Sequence, residues 1–159
     1  MKKFVYIIFT FLLLLTSPAF SEVDPLSALL KAKTIRCAIK EGHTSEFNGK
    51  ELSFEKGAFS KKAEDSLLTL AKIDLKNGTA IAIGNAGTDD VIVRPAETGI
   101  NFIGFTGNGA LVASTIFSNM DAEGNYFFAT SRHTQLSKLL LGKTTSMPSQ
   151  WIGSCKIIE

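Results

Sequence analysis

Metal ligands and the motifs of nucleophilic catalysis are scarce in this sequence. Its 159 residues include two histidines, His43 and His133, and two cysteines, Cys37 and Cys155. A catalytic zinc site takes three protein ligands and a structural site four, so these residues form one only if both thiols are reduced. No serine lies in a Gly-x-Ser-x-Gly element. The sequence therefore predicts no metal, no other cofactor and no enzymatic activity.

An excess of charge of one sign is also missing. The chain has 17 Lys and Arg residues against 15 Asp and Glu residues, and Lys2 and Lys3 belong to the N-terminal leader, so the remainder is balanced. The one local basic run, "SKKAED" at residues 60–65, has no net charge, because two acidic residues follow its two lysines. Because a nucleic-acid-binding domain carries a clustered basic face, the sequence predicts no nucleic-acid partner.

The leader itself has the pattern of a secretory signal peptide. Two lysines precede an apolar run from Phe4 to Thr16, and "SPAFS" then supplies small residues for cleavage. We expect residues 1–21 to be removed before Glu22, with cleavage after Ala19 as the alternative. A permanent span needs about 20 apolar residues, so a retained anchor is less favoured. The sequence thus predicts export to the periplasm, one domain over residues 22–159, and no membrane span after cleavage.

Export changes the interpretation of the two cysteines. An even number of cysteines in an exported chain indicates a disulfide, here Cys37–Cys155. Such a bridge closes a loop over most of the domain, which the chain-entropy model values at about 4 to 5 kcal/mol. Two free buried thiols and a metal site are the alternatives.

The mature chain is patterned mainly as short strands. Asp24 and Pro25 are typical of the start of a short helix. "TIRCAIK" alternates apolar and polar residues as a half-buried strand does. Asn77-Gly78 and Asn108-Gly109 each lie between apolar segments and predict hairpins with type I′ turns.

The remaining segments complete a sheet of about eight strands. Residues 41–65 are polar and predict a loop, with an irregular strand around Leu52–Phe54. Residues 66–84 contain two apolar runs that favour strands, and a helix over residues 61–72 is the alternative. Antiparallel strands with tight turns and no long crossover predict a meander or a closed barrel, lipocalin-like in architecture. In a closed barrel the strands that hold Cys37 and Cys155 become neighbours.

Arg132, His133 and Trp151 are the candidate contacts for a ligand or a protein partner. Alternation along a strand points Arg132 and His133 to opposite faces, one toward the barrel interior and one toward solvent. The competing interpretation is that both satisfy backbone carbonyls and loop carboxylates near a strand end. Asp89 and Asp90 also diverge, and we expect them to stabilise a turn.

Several short elements resemble a group of uncharacterised exported proteins of Gram-negative bacteria. They are "IRCAIKEG", "GINFIGF", "STIF", "YFFATSRHT" and "PSQWIGSC", with the shared Ser-Arg-His at residues 131–133 and Pro148 to Cys155. This resemblance implies export and one compact β domain, and it brings no activity and no functional role for any residue.

Two functions agree with these features. The first is a periplasmic binding module without enzymatic activity, whose unknown ligand is a small apolar compound or a protein. The alternative is an inhibitor of a hydrolase such as lysozyme, which would act through an exposed loop at residues 42–62 or 135–149. The Ser-Gly-x-x-Tyr element of periplasmic lysozyme inhibitors and the Gly-x-Trp element of lipocalins are both absent from the sequence.

Overall fold

A computed structural model describes residues 24–47, 52–57, 67–85, 87–136 and 145–159. The predicted signal peptide lies outside these residues. One short helix and nine strands form, in the order α1 (Pro25–Lys31), β1 (Ile35–Phe47), β2 (Leu52–Gly57), β3 (Leu67–Asp74), β4 (Thr79–Gly84), β5 (Gly87–Ala96), β6 (Gly99–Phe105), β7 (Leu111–Met120), β8 (Tyr126–Leu136) and β9 (Thr145–Ile157).

The sheet closes into an antiparallel barrel of eight strands, which confirms the predicted fold class. Strands β3 to β9 pair in sequence order, and β1 completes the ring by pairing with β3 on one side and β9 on the other. The ninth strand, β2, pairs with the second half of β1. Closure leaves the first and last barrel strands without an open edge between them.

The predicted disulfide bridges this closing seam. Cys37 and Cys155 are direct partners in the β1–β9 register and form a disulfide bond. Both cysteines are almost fully buried. Because Cys37 faces inward, alternation also points Ile35 and Ile39 into the barrel, and Trp151 and Ile157 share the inward face of β9 with Cys155.

The helix covers one end of the barrel. Asp24 caps it by accepting a hydrogen bond from the backbone N–H of Ser27 at 2.9 Å. Leu29 is fully buried in the core, and the phenol of Tyr126 donates to the carbonyl of Pro25 at 3.1 Å. The end of the barrel near the helix is therefore filled by apolar side chains, which include Ile35, Leu70, Val93, Ile100, Phe102, Ile116 and Phe128.

Two details differ from the prediction, and one alternative is decided. The polar stretch after residue 40 is not a loop at its start, because β1 continues to Phe47 and pairs with both β9 and β2. The described part of residues 61–72 belongs to β3, which confirms the favoured strand rather than the helix. The type I′ prediction is wrong at both Asn-Gly pairs, because among the described residues Lys72 is the only non-glycine with a positive φ.

Candidate ligand-binding cavity

A cavity of about 380 Å³ lies in the half of the barrel away from the helix. Every barrel strand contributes to its wall, and Leu70 and Phe102 separate it from the core below. Apolar side chains form most of the wall. They are Ile39, Leu67, Leu68, Leu70, Ala82, Val91, Phe102, Phe105, Val112 and Trp151.

The cavity exists because small residues face inward at this level of the barrel. Ala82 on β4, Gly104 on β6 and Ser114 on β7 all line it. Nearer the helix, the next inward positions on β6 and β7 are the larger Phe102 and Ile116, and these are buried in the core. Near the helix the large inward side chains fill the barrel, and in the other half the small inward side chains leave a space.

Ser114, Thr130 and Arg132 form a polar group of side chains on β7 and β8, while Asn85, Asp89 and Thr106 lie at other points of the lining. The hydroxyls of Ser114 and Thr130 lie 2.8 Å apart and are buried. Thr130 also donates to the carbonyl of Ala113 at 3.3 Å. Arg132 follows two residues later on the same inward face. An apolar pocket with a few convergent polar groups is the usual form of a small-molecule site.

Arg132 brings a positive charge into this apolar wall. Its neighbours in the register are Val112 on β7 and the buried Ser149 on β9, and neither carries a charge. The Nε atom of Arg132 is buried and has no hydrogen-bond partner among the described residues. A buried charged donor without an acceptor is unfavourable. Arg132 lines the cavity, so an acceptor that enters it can approach the guanidinium.

Trp151 lies beside Arg132 on the inward face of the neighbouring strand. It pairs with Thr130 on β8 and with Gly42 on β1, and it lines the cavity. It is also the only tryptophan of the sequence. Tryptophan fluorescence excited at wavelengths that tyrosine does not absorb therefore reports on this one indole in the cavity wall.

The third candidate residue lies on the other side of the wall. His133 is exposed on the outer face of β8, opposite Leu111 of β7. Strand alternation thus separates it from Arg132, as the sequence predicts, and the structure places Arg132 inside. The cavity brings together Arg132 and Trp151 but not His133. His43 is exposed as well, in β1 rather than in a loop.

Asp89 is a cavity residue that the sequence analysis missed. Asp89 and Asp90 both lie within β5, so the expectation of a turn is wrong. Asp89 is half-buried in the cavity wall close to the β4–β5 connection, whereas Asp90 is exposed. The alternation of "DDVIV" would have identified it, because Val91 and Val93 share its face.

The outer face of the barrel carries an apolar patch. Ile92, Ile103 and Ala113 are successive partners across β5, β6 and β7, and the two isoleucines are 53% and 43% exposed. Phe105, at the end of β6, is 66% exposed and also reaches the cavity rim. The loops predicted for a hydrolase inhibitor, at 42–62 and 135–149, lie partly outside the described residues.

Three groups outside the cavity have shifted pKa values. Hydrogen bonds from Asn77 lower the pKa of Asp74, and hydrogen bonds from Asn125 lower that of Asp121. Burial beside the helix raises the pKa of Tyr126 above its usual 10.0, with a smaller contribution from the charge of Asp24.

Among the described residues, no three His, Cys, Asp or Glu side chains are grouped in a way that would hold a metal ion.

Comparison with protein-family models and with curated proteins finds no match to this chain. Over the part of the chain that the structure describes, no helix has both the length and the apolar character of a membrane span.

Proposed function

We propose that this chain is an exported, periplasmic binding module without enzymatic activity, and that it holds a small apolar ligand in the barrel cavity. The observation that carries the proposal is the cavity itself, about 380 Å³ in volume and lined mainly by apolar side chains. This volume lies within the range of small-molecule sites, about 300 to 1,000 Å³. The signal-peptide pattern and the Cys37–Cys155 disulfide support export, because disulfides persist in oxidising compartments.

The proposal assigns the binding energy to burial of the ligand's apolar surface. Each methylene that leaves water contributes about 0.8 kcal/mol, which corresponds to about fourfold in affinity. A series of linear alcohols from hexan-1-ol to decan-1-ol therefore tests the proposal. We expect saturable changes in the fluorescence of Trp151, affinity that rises with chain length until the cavity is full, and a negative heat-capacity change in calorimetry.

A pair of variants on β7 locates the site. Val112 lines the cavity, whereas Ala113 faces outward opposite Ile103. Val112→Phe fills the cavity and is expected to weaken binding of the alcohols at least tenfold. Ala113→Phe is expected to leave the affinity for the alcohols unchanged. Absence of saturable binding in the wild-type protein contradicts the proposal. Equal loss of binding in both variants contradicts the assignment of the site to the interior.

A further inference from the structure

We infer that the cavity selects an amphipathic monoanion, that is, an apolar chain with one carboxylate-like head group that pairs with Arg132. The inference rests on the proposed function, and it adds the chemical class of the ligand. The apolar wall alone does not distinguish a hydrocarbon, an alcohol, an amine or an acid. The single guanidinium in that wall does.

Arg132 is the charged residue that would bind the head group. Its Nε atom is buried and lacks a hydrogen-bond partner within the described part of the chain. Its register neighbours, Val112 and Ser149, supply no negative charge. A carboxylate is the natural complement of a guanidinium, because it accepts charge-assisted hydrogen bonds that are about twice as strong as neutral ones. A bound anion at the guanidinium would thus supply the acceptor that the described residues do not.

Two further polar side chains of the cavity lining lie on the same side as Arg132. Ser114 and Thr130 bring two hydroxyls to the same side of the cavity as Arg132. The walls contributed by β3 and β4 bring Leu67, Leu68, Leu70 and Ala82. The polar group at β7 and β8 and the apolar wall at β3 and β4 match a molecule with a polar head and an apolar body, and the other polar lining residues, Asn85, Asp89 and Thr106, lie near strand ends of β4, β5 and β6. The head group would lie at β7 and β8, and the chain would extend toward β3 and β4.

Asp89 restricts the ligand to one negative charge and fixes its orientation. It lies on β5, three strands from Arg132 around the barrel, near the exposed Gly84 and Gly87 of the β4–β5 connection. A second anionic group on the ligand, or the same head group in the reverse orientation, would face this carboxylate. Like charges at such a site are unfavourable. An amine discriminates between the two residues, because its charge would be repelled by Arg132 and attracted to Asp89, so the two assignments predict opposite results.

Three probes with the same eight-carbon chain test the inference. They are octanoate, octan-1-ol and octylamine, each titrated into the mature protein at neutral pH with Trp151 fluorescence as the readout. We expect octanoate to bind about 10- to 100-fold more tightly than octan-1-ol, the effect of a hydrogen bond to a charged group. We expect octylamine to bind most weakly, because its charge is repelled by Arg132.

Two variants on adjacent residues of β8 provide the matched comparison. Arg132→Gln removes the inward charge and is expected to make the affinities for octanoate and octan-1-ol nearly equal. His133→Gln changes the exposed residue on the other face and is expected to retain the preference for octanoate. A measurement on the wild-type protein does not depend on how the variants fold. Below about pH 4 a carboxylate ligand becomes protonated, and the preference for octanoate should disappear.

The outcomes separate this inference from the function on which it rests. If octan-1-ol and octanoate bind equally well to the wild-type protein, the inference is wrong and the apolar-ligand function stands. If octylamine binds most tightly, Asp89 rather than Arg132 selects the ligand, and the inference is again wrong. If none of the three probes binds, the proposed function fails, and the inference fails with it.

Discussion

Trp151 packs against the backbone of Gly42, its direct partner in the pairing of β1 with β9. A Cβ atom on Gly42 would overlap Cδ1 of the indole and would lie 2.8 Å from the carbonyl oxygen of Gln150. The glycine therefore provides the space that holds the only tryptophan of the chain in the cavity wall.

Gly42→Ala should displace this indole. We expect a loss of about 1 to 3 kcal/mol in the free energy of unfolding, the usual cost of overpacking, together with a shift in the emission of Trp151. Urea unfolding and fluorescence spectra measure both effects. Gly107→Ala is the matched control, because a Cβ atom there meets nothing within 4 Å. Wild-type stability and emission in Gly42→Ala would show that the indole does not depend on this contact.

The disulfide should stabilise the seam without affecting the shape of the cavity. Replacing Cys37 and Cys155 together by alanine is expected to lower the free energy of unfolding by about 2 to 5 kcal/mol. Alkylation followed by mass spectrometry of the exported wild-type protein should find no free thiol. Free, alkylatable Cys37 and Cys155 in that sample would be incompatible with a covalent seam.

The elements of the barrel were largely predictable, because alternation and turn residues act locally. The hairpins at Asn77-Gly78 and Asn108-Gly109 are confirmed, although their turn type is not. At the first hairpin the carboxylate of Asp74 accepts hydrogen bonds from the backbone and side-chain amides of Asn77, at 3.0 and 2.7 Å. This interaction favours a longer turn in which Gly78 alone has a positive φ.

The orientation of Arg132 could not be predicted in the same way. Alternation gives the relative direction of neighbouring side chains, and the absolute direction requires knowing which face is buried. The adjacent Phe127 and Phe128 left both faces of β8 equally apolar. In the fold Phe128 is buried and Phe127 is 49% exposed, which fixes Arg132 on the inner side. The cavity depends on inward small residues from three strands, a pattern that appears only once the register is known.

Tyr126 should make the protein less stable at alkaline pH. Its pKa is raised in the folded state, so the stabilising contribution is complete below pH 10.0 and is lost as the pH rises toward the folded value. Tyr126 is the only tyrosine in residues 22–159, so the phenolate absorbance of the mature protein reports it alone. We expect ionisation above pH 10.0. Ionisation at or below pH 10.0 would contradict the burial of this phenol against the helix.

Asp74 should make the protein less stable at acidic pH, in contrast to the effect of Tyr126 at alkaline pH. Because hydrogen bonds from Asn77 lower the pKa of Asp74, its stabilising contribution is present above pH 3.8, the usual pKa of this group, and is lost as the pH falls through the folded value. Asn77→Ala removes the side-chain donor and should raise the pKa of Asp74 toward 3.8. Carboxyl chemical shifts followed by NMR measure this change. An unaltered titration of Asp74 in Asn77→Ala would exclude the side-chain hydrogen bond as a cause.

The central claim is that the interior of the barrel is a ligand site, and the location of a bound alcohol tests it most directly. Nuclear Overhauser effects between octan-1-ol and the mature protein distinguish the inner from the outer face. We predict contacts from the alkyl chain to the methyl groups of Ala82 and Val112 and to the indole of Trp151. Contacts confined to the outer patch of Ile92, Ile103 and Ala113, with none to the interior, would contradict the claim.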